Sequence, residues 1–228
     1  MAALAETPHF KSASRTQDSI LAPLERRTLN WLAARIPQSI NSDHLTALGA
    51  AGMIGAGLSF WLARWNRWAL LGVVLCLAIN WFGDSLDGTL ARFRNQQRPR
   101  YGFYVDHIID AVGAFCLLAG LALSGFVSSW VAASMLITFY LLSIECYLAT
   151  YTLSNFSLSH FKLSPTELRI LLAVGAVVLM FKPHVHLAGR HFLLFDVGGV
   201  IGTAGMLAIF AVSTFRNSVR LYREERLK

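Results

Sequence analysis

Charged residues are scarce in this sequence. Asp, Glu, Lys and Arg make up only 14% of the 228 residues, whereas hydrophobic residues make up 55%. Ordinary soluble domains carry roughly 25% charged residues, so the composition excludes a typical soluble globular protein. The mean hydropathy of +0.50 points the same way, and together these values predict an integral membrane protein.

Cysteine is also rare. Cys76, Cys116 and Cys146 each lie inside an apolar run, and their spacing matches no metal-binding or disulfide motif. We expect them to pack as small apolar side chains.

Acidic residues are fewer than basic ones, which leaves a formal net charge of +7. In a membrane protein such an excess reflects topology and contact with anionic lipids, so no nucleic-acid partner is predicted.

Six apolar runs approach the ~20 residues that a helix needs to cross a bilayer. Backbone groups cannot stay unpaired in lipid, so these runs are expected to be helices. The sequence therefore predicts an all-α fold, an integral membrane bundle of six transmembrane helices. The runs are Leu45–Ala63, Trp68–Gly83, Phe103–Leu123, Trp130–Tyr151, Leu168–Phe181 and Val197–Phe215.

The orientation follows from the distribution of Lys and Arg. With six spans both termini share one side, and that side holds sixteen of the twenty basic residues. The opposite side holds only Arg64, Arg67, Lys182 and Arg190. Basic loops stay in the cytoplasm, so we expect both termini and the mouth between the second and third spans to be cytoplasmic, with the protein in the inner or cytoplasmic membrane.

An amphipathic helix precedes the first span. Leu21, Leu24, Leu32 and Ile36 would share one face, into which Glu25 intrudes. Such a helix either lies on the membrane surface or packs on the mouth of the bundle, and the two are compatible. We therefore expect three parts: a tail with an interfacial helix (1–40), the six-span domain (41–216) and a basic cytoplasmic tail (217–228).

Four aspartates lie at the cytoplasmic mouth. Asp84 and Asp87 share a face at the end of one predicted helix, and Asp106 and Asp110 share a face at the start of the next. The helices are antiparallel, so the four carboxylates converge. Because like charges repel, a cation is expected among them. Oxygen ligands favour Mg²⁺, Mn²⁺ or Ca²⁺, and Mg²⁺ commonly takes substrate phosphates as further ligands.

Small and basic residues adjoin these carboxylates. Gly88 and Gly102 permit close approach of a bulky ligand, and Arg92 is placed to contact a phosphate. The pattern predicts metal-assisted transfer at phosphorus.

The simpler interpretation is that the aspartates are only solvated helix ends. It suits one or two aspartates better than four at these spacings. A cation or proton transporter is the non-enzyme alternative, although it would need acids near the midplane. A membrane protein that binds a metal or a lipid without turnover is a further alternative.

The sequence Asp84-x-x-Asp87-Gly88-x-x-Ala91-Arg92, followed by Gly102-x-x-x-Asp106-x-x-x-Asp110, closely resembles the motif of the CDP-alcohol phosphotransferases. These are six-span membrane enzymes of phospholipid synthesis. The resemblance implies that a CDP-linked alcohol binds with its pyrophosphate on two divalent ions, Mg²⁺ or Mn²⁺, while a second alcohol attacks the distal phosphorus and CMP leaves. It also implies a homodimer.

The resemblance assigns roles to individual residues. Asp84, Asp87 and Asp106 would be metal ligands, and Asp110 a ligand, the general base, or both. Gly88, Ala91, Arg92 and Gly102 would line the CDP site. The family often has Pro-Asn-x-Leu-Thr at the start of its first span, whereas this chain has Ser42 and Asp43 before His44, Leu45 and Thr46.

The substrates remain open between two branches of the family. The pattern Asp106-His107-x-x-Asp110 resembles the choline and ethanolamine phosphotransferases, in which a His–Glu pair corresponding to His107 and Glu167 is a candidate base. The alternatives are that His107 only packs at an interface and that Glu167 completes a capping box with Ser164. Similarly small chains of the family mostly use CDP-diacylglycerol, and we expect that donor.

Candidates for the acceptor site are less sharply defined. Glu145 lies within the fourth span, where it would contact an acceptor or pair with Arg169. Arg98, together with Arg94 and Arg100, would bind a phosphate of the acceptor or of a lipid. The alternative is that these arginines only determine the orientation of the chain in the membrane and contact lipids. On the far side, the histidines of "KPHVHLAGRH" are expected in a water-exposed loop, with a metal site as the alternative.

Overall fold

The structure is a computed structural model that describes residues 22–153, 165–187 and 189–226. Helices account for most of the described residues, which also include one two-stranded hairpin before the last described helix. The helices are α1 (Ala22–Ala33), α2 (Ser42–Leu62), α3 (Ala69–Phe93), α4 (Pro99–Ser124), α5 (Ser129–Leu153), α6 (Pro165–Phe181) and α7 (Leu194–Glu224), and the strands are β1 (His184–Leu187) and β2 (Arg190–Leu193).

The predicted helical membrane fold is confirmed. Within the described ranges, α2, α3, α4, α5 and α7 are long and apolar enough to span a membrane. The remaining apolar helix, α6, has 17 residues and begins directly after the undescribed segment 154–164. The count of six spans therefore stays a prediction. The helix α7 continues beyond residue 216 to Glu224, so the expected basic tail begins inside this helix.

Glycines bring α2 very close to α3 and α4. A Cβ added at Gly83 would lie 2.4 Å from the Gly49 nitrogen, and one at Gly120 would lie 1.9 Å from the Gly57 carbonyl oxygen. Both are far inside normal contact, so only glycine allows these helices to approach so closely. Small residues at helix interfaces are the usual means of dense packing in membranes, where no hydrophobic effect drives the helices together. The resulting contact fixes α3 and α4, which carry the aspartates, against α2.

The main apolar core lies away from the aspartates. Phe60, Leu70, Val73 and Leu121 are almost fully buried there, and α6 contributes Ala176. At this end of the bundle, Asp196 at the start of α7 accepts hydrogen bonds from the Ser128 backbone nitrogen (2.6 Å) and hydroxyl (3.0 Å). The carboxylate thus ties α7 to the beginning of α5.

The turn between α3 and α4 has a defined geometry. Asn95 adopts a left-handed conformation (φ 54°), and the Gln96 nitrogen donates to the Ala91 carbonyl at 2.9 Å. This is a Schellman motif, in which asparagine is one of the residues that tolerates the left-handed position. Arg94 then reaches back to the carbonyl oxygens that precede α2, including that of Ile40 at 2.6 Å. Arg94 therefore fastens a loop and is not directed at a phosphate.

The helix α1 packs on the mouth of the bundle, which confirms one of the two interpretations of the amphipathic segment. Leu29 and Ala33 are buried against Leu86 and Leu90 of α3. The side chain of Trp31 remains 55% exposed. Leu21, part of the predicted apolar face, lies outside the described residues, as does the tail before it.

The histidine-rich segment forms a hairpin and not an irregular loop, while the expected exposure to water is observed for His184, His186 and His191. In the antiparallel register of β1 and β2, His186 pairs with His191, and their rings lie 3.9 Å apart. Across the described ranges, no group of three or more potential ligands is close enough to hold a metal ion, so the structure lends no support to a metal site at the hairpin.

Candidate active site

The structure brings the four aspartates to one cleft between α2, α3 and α4. Asp84 and Asp87 approach it from α3, and Asp106 and Asp110 from α4. The cleft is also lined by Thr46, Gly49, Ala50, Met53, Asn80 and Ile109. Within each helix the two carboxylates are one helical turn apart and share a face. The two faces meet at the cleft, as the spacing predicts.

Asp87 is the most buried of the four, with 8% of its surface exposed. Its Oδ2 accepts a hydrogen bond from the Thr46 hydroxyl at 2.6 Å, and its Oδ1 accepts one from the Gly88 nitrogen at 2.5 Å. Burial of a carboxylate is costly unless its oxygens are paired. These two donors fix the orientation of Asp87 at the base of the cleft.

Asp84 is held by an ion pair with α6. The Arg169 guanidinium lies 2.6 Å from Asp84 Oδ2, and its Nε donates to Asn80 Oδ1 at 2.7 Å. Asn80 in turn donates to the Gly49 carbonyl at 2.8 Å. A chain of charged and polar groups therefore runs from α6 through α3 to α2 along the edge of the cleft.

The two aspartates on α4 differ in their exposure. Asp106 is partly buried and Asp110 is exposed.

Two glycines of the motif have open space beside them. An added Cβ at Gly102 would meet no atom within 4 Å, and one at Gly88 would meet only the Arg92 guanidinium, at 3.4 Å. Neither glycine is therefore required by packing, unlike Gly83 and Gly120. The space above both glycines is open to a ligand, apart from the Arg92 side chain.

The donor set of the cleft fits a hard divalent cation. Four carboxylates and a threonine hydroxyl supply only oxygen ligands, which suit Mg²⁺ and Mn²⁺ and do not favour zinc. Among the described residues, no three of these carboxylates are close enough together to enclose an ion. Arg169 engages Oδ2 of Asp84, so an ion that used Asp84 would compete with this guanidinium for the carboxylate.

His107 and Glu167 are not among the residues that line the cleft. The His107 ring packs against Phe103, with centroids 4.1 Å apart, and edge-on against Tyr147 at 4.5 Å. Its Nδ1 lies 2.5 Å from the Phe103 carbonyl oxygen. These contacts favour the interpretation of His107 as a residue of the α4–α5 interface. The proposed capping partner of Glu167, Ser164, lies outside the described residues.

Two acceptor candidates have other partners. Glu145 accepts hydrogen bonds from Ser213 and Asn217 of α7, each at 2.7 Å. Of the two alternatives for Glu145, the pair with Arg169 is not formed, because Arg169 binds Asp84; contact with an acceptor stays a prediction. Arg98 forms an exposed ion pair with Asp43 at the start of α2. Of the three candidates, Arg169 is the one that contacts an aspartate of the cleft, although it does not line the cleft itself.

Sequence reasoning missed several residues that support the site. Thr46 was noted only as part of a family motif, although it holds Asp87. Asn80 lies four residues before Asp84 within an apolar run, and a polar residue in a span is a signal for function. Asn41, just before the unusual Ser42-Asp43 pair, caps α2 and accepts from the His44 nitrogen at 3.1 Å.

Comparison with known proteins agrees with this geometry. A family model for the CDP-alcohol phosphatidyltransferases matches residues 41–213. An archaetidylinositol phosphate synthase from Pyrococcus horikoshii is 32% identical over 132 residues, which are 57% of this chain and 64% of that protein. The match thus spans a little under two thirds of the relative's length. The match to the family model covers most of the chain, including all four aspartates, and shows that the protein belongs to the CDP-alcohol phosphatidyltransferase family.

Proposed function

We propose that this protein is a membrane enzyme of phospholipid synthesis that transfers a substituted phosphate group from a CDP-linked alcohol to the hydroxyl of a second alcohol and releases CMP. The observation that carries the proposal is the convergence of Asp84, Asp87, Asp106 and Asp110 on one cleft. The match of the family model across residues 41–213 supports it.

The cleft would bind the donor through its pyrophosphate. Gly88 and Gly102 leave room beside the carboxylates, and Arg92 would add charge-assisted contacts to phosphate oxygens. Ala91 lies on the same helix and would complete the nucleotide side of the site. When two divalent ions, Mg²⁺ or Mn²⁺, are bound by the aspartates, they polarise the phosphoryl oxygens and offset charge on the leaving phosphate.

Asp110 is the best placed general base. It is exposed, whereas Asp84, Asp87 and Asp106 are partly or fully buried, so an incoming hydroxyl has most direct access to Asp110. The carboxylate would take the hydroxyl proton as the alcohol oxygen attacks the distal phosphorus. The new bond between the alcohol oxygen and the distal phosphorus replaces the bond between that phosphorus and the phosphate oxygen of CMP. CMP then leaves.

For the substrates we favour a CDP-linked lipid, such as CDP-diacylglycerol, as donor and a phosphorylated polyol, such as inositol phosphate, as acceptor. The name of the relative, archaetidylinositol phosphate synthase, supports this pair. Arg169, which already binds the carboxylate of Asp84, would contact the acceptor phosphate once an ion replaces it there. The packing of His107 against Phe103 and Tyr147 disfavours the amino-alcohol branch, in which the matching histidine is a candidate base.

The membrane setting follows from the same residues. The excess of Lys and Arg at the end that carries the aspartates supports a cytoplasmic site with both termini cytoplasmic. A lipid-linked donor would then reach the site by lateral diffusion in the membrane, while a water-soluble acceptor would enter from the cytoplasm. A homodimer remains a prediction from the family resemblance.

A substrate panel tests the proposal. Purified protein in detergent would be supplied with CDP-diacylglycerol or a CDP-amino-alcohol, crossed with inositol phosphate, glycerol phosphate, serine and diacylglycerol, with Mg²⁺ or Mn²⁺, while CMP release is measured. We expect release from CDP-diacylglycerol with a phosphorylated polyol. Release only from the CDP-amino-alcohol with diacylglycerol would overturn the substrate assignment, and no release from either donor would overturn the proposed function.

A further inference from the structure

The carboxylate of Glu25, on α1, lies where three helices meet. Its Oε1 accepts hydrogen bonds from Trp81 Nε1 of α3 at 2.9 Å and from the Thr166 hydroxyl of α6 at 2.7 Å. The Ser85 hydroxyl of α3 adds a longer contact at 3.4 Å. From sequence, Glu25 is an anomaly on the apolar face of an amphipathic helix. The structure shows that its charge is directed into the bundle and joins α1, α3 and α6.

The partners of Glu25 adjoin those of Arg169. On α3, Trp81 and Ser85 are four residues apart and face Glu25, while the preceding pair, Asn80 and Asp84, face Arg169. On α6, Thr166 and Arg169 are three residues apart and therefore share a face. Glu25 and Arg169 thus hold α6 against two neighbouring stripes of α3.

We propose that Glu25 is a positioning residue that seats Arg169 on Asp84 by fixing the first turn of α6 against α3. Arg169 is the residue that contacts Asp84 directly, through its guanidinium. Glu25 does not line the cleft, so it acts through the two helices that its carboxylate joins, α3 and α6. The packing of Leu29 and Ala33 on α3 holds α1 in place for this contact. This makes α1 a functional part of the site as well as a surface helix.

The expected effect has a definite sign. The Arg169 guanidinium neutralises the Asp84 carboxylate and repels a second cation there, so any change that loosens Arg169 should tighten binding of Mn²⁺ to the substrate-free protein. Glu25→Ala removes the acceptor and should tighten Mn²⁺ binding about threefold, as expected for loss of the hydrogen bond that reaches α6, from Thr166. Glu25→Gln keeps an oxygen that can accept from Trp81 and Thr166, so its affinity should stay near that of the wild type.

The decisive measurement is a double-mutant cycle on Mn²⁺ affinity. If Glu25 acts through Arg169, then Glu25→Ala should have no further effect in an Arg169→Gln background. An equal effect in both backgrounds, or no effect in either, would overturn the proposal. Thr166→Val deletes only the hydroxyl on α6 and should repeat the result if Glu25→Ala does not fold. Glu224→Ala, which breaks an exposed ion pair on α7, is the matched control and should change nothing.

The inference rests on the proposed function only for the choice of Mn²⁺ as the probe. If the wild-type protein binds no Mn²⁺, the metal assignment fails, and the positioning role is decided in the absence of metal. The coupling between Asp84→Asn and Arg169→Gln would then be measured from melting temperatures, with Glu25 present and with Glu25→Ala. A smaller coupling in the second case supports the proposal, and an unchanged coupling overturns it.

Discussion

The ion pair between Arg169 and Asp84 makes a quantitative prediction about the cleft. Arg169→Gln should tighten binding of Mn²⁺ to the substrate-free protein, because it removes the cation with which the ion competes for Asp84. The two side chains lie 2.6 Å apart, with the arginine 11% and the aspartate 36% exposed. A divalent ion that uses this carboxylate therefore competes with a short, half-shielded contact to a cation.

The magnitude lies between two limits. Fully exposed ion pairs contribute roughly 0–1 kcal/mol, whereas breaking a buried pair costs about 3–5 kcal/mol. Because Asp84 retains contact with water, we place this pair near the lower limit, at about 1.4 kcal/mol. That corresponds to about a tenfold gain in Mn²⁺ affinity when the guanidinium is removed. The glutamine amide that replaces the guanidinium can still donate to Asn80, which limits other changes.

The assay is a titration of purified protein with Mn²⁺ in detergent, with free Mn²⁺ followed by electron paramagnetic resonance. Arg169→Lys keeps the positive charge and should bind Mn²⁺ nearly as the wild type does. Arg220→Gln neutralises an arginine in the exposed pair with Glu224 and should have no effect. If Arg169→Gln is folded yet binds Mn²⁺ no more tightly than the wild type, Arg169 does not compete with the ion, and the reasoning is refuted.

The other predictions concern packing and the role of histidine. Gly120→Ala should lower the melting temperature strongly or prevent folding, because the new Cβ would lie 1.9 Å from the Gly57 oxygen. Gly102→Ala has open space and should melt at or above the wild-type temperature, while its KM for the CDP donor rises; a thermal melt in which both variants behave alike would contradict this. His107→Gln should keep CMP release within about tenfold of the wild type, since loss of a general base typically costs 10²–10⁴-fold. A greater loss of kcat in the folded variant would restore His107 as a candidate base.

Local spacing was sufficient to predict the helices and the aspartate pairs. Asp84 and Asp87, and likewise Asp106 and Asp110, are one turn apart, so any helical arrangement places each pair on one face. The six apolar runs similarly predicted the helices α2 to α7, because a polar backbone in lipid has few alternatives. These features depend on residues close together in the chain, and the sequence displays them directly.

Partners from distant helices could not be predicted in the same way. Glu25 and Thr166 are 141 residues apart, and Arg169 and Asp84 are 85 apart. Each pairing depends on how helices rotate and tilt when they pack, which spacing within one helix does not specify. The alternative of a Glu145–Arg169 pair was wrong for this reason, since α7 supplies Ser213 and Asn217 to Glu145.

The glycine contacts are an intermediate case. Gly49, Gly52 and Gly55 recur every three residues along α2, a small-residue pattern that predicts close helix packing in membranes. The sequence does not say which helix approaches, and the structure assigns Gly49 to α3 and Gly57 to α4. The hairpin of β1 and β2 was missed because its strands have only four residues each.

The central claim is that the four-aspartate cleft transfers a phosphate-linked group with Asp110 as the base. The most direct test compares wild-type protein and Asp110→Asn for CMP release from CDP-diacylglycerol with inositol phosphate and Mg²⁺ or Mn²⁺, with melting temperature as the measure of folding. We expect release by the wild type that requires both the acceptor and the divalent ion, and none by a folded Asp110→Asn variant. Undiminished release by that variant would contradict the account.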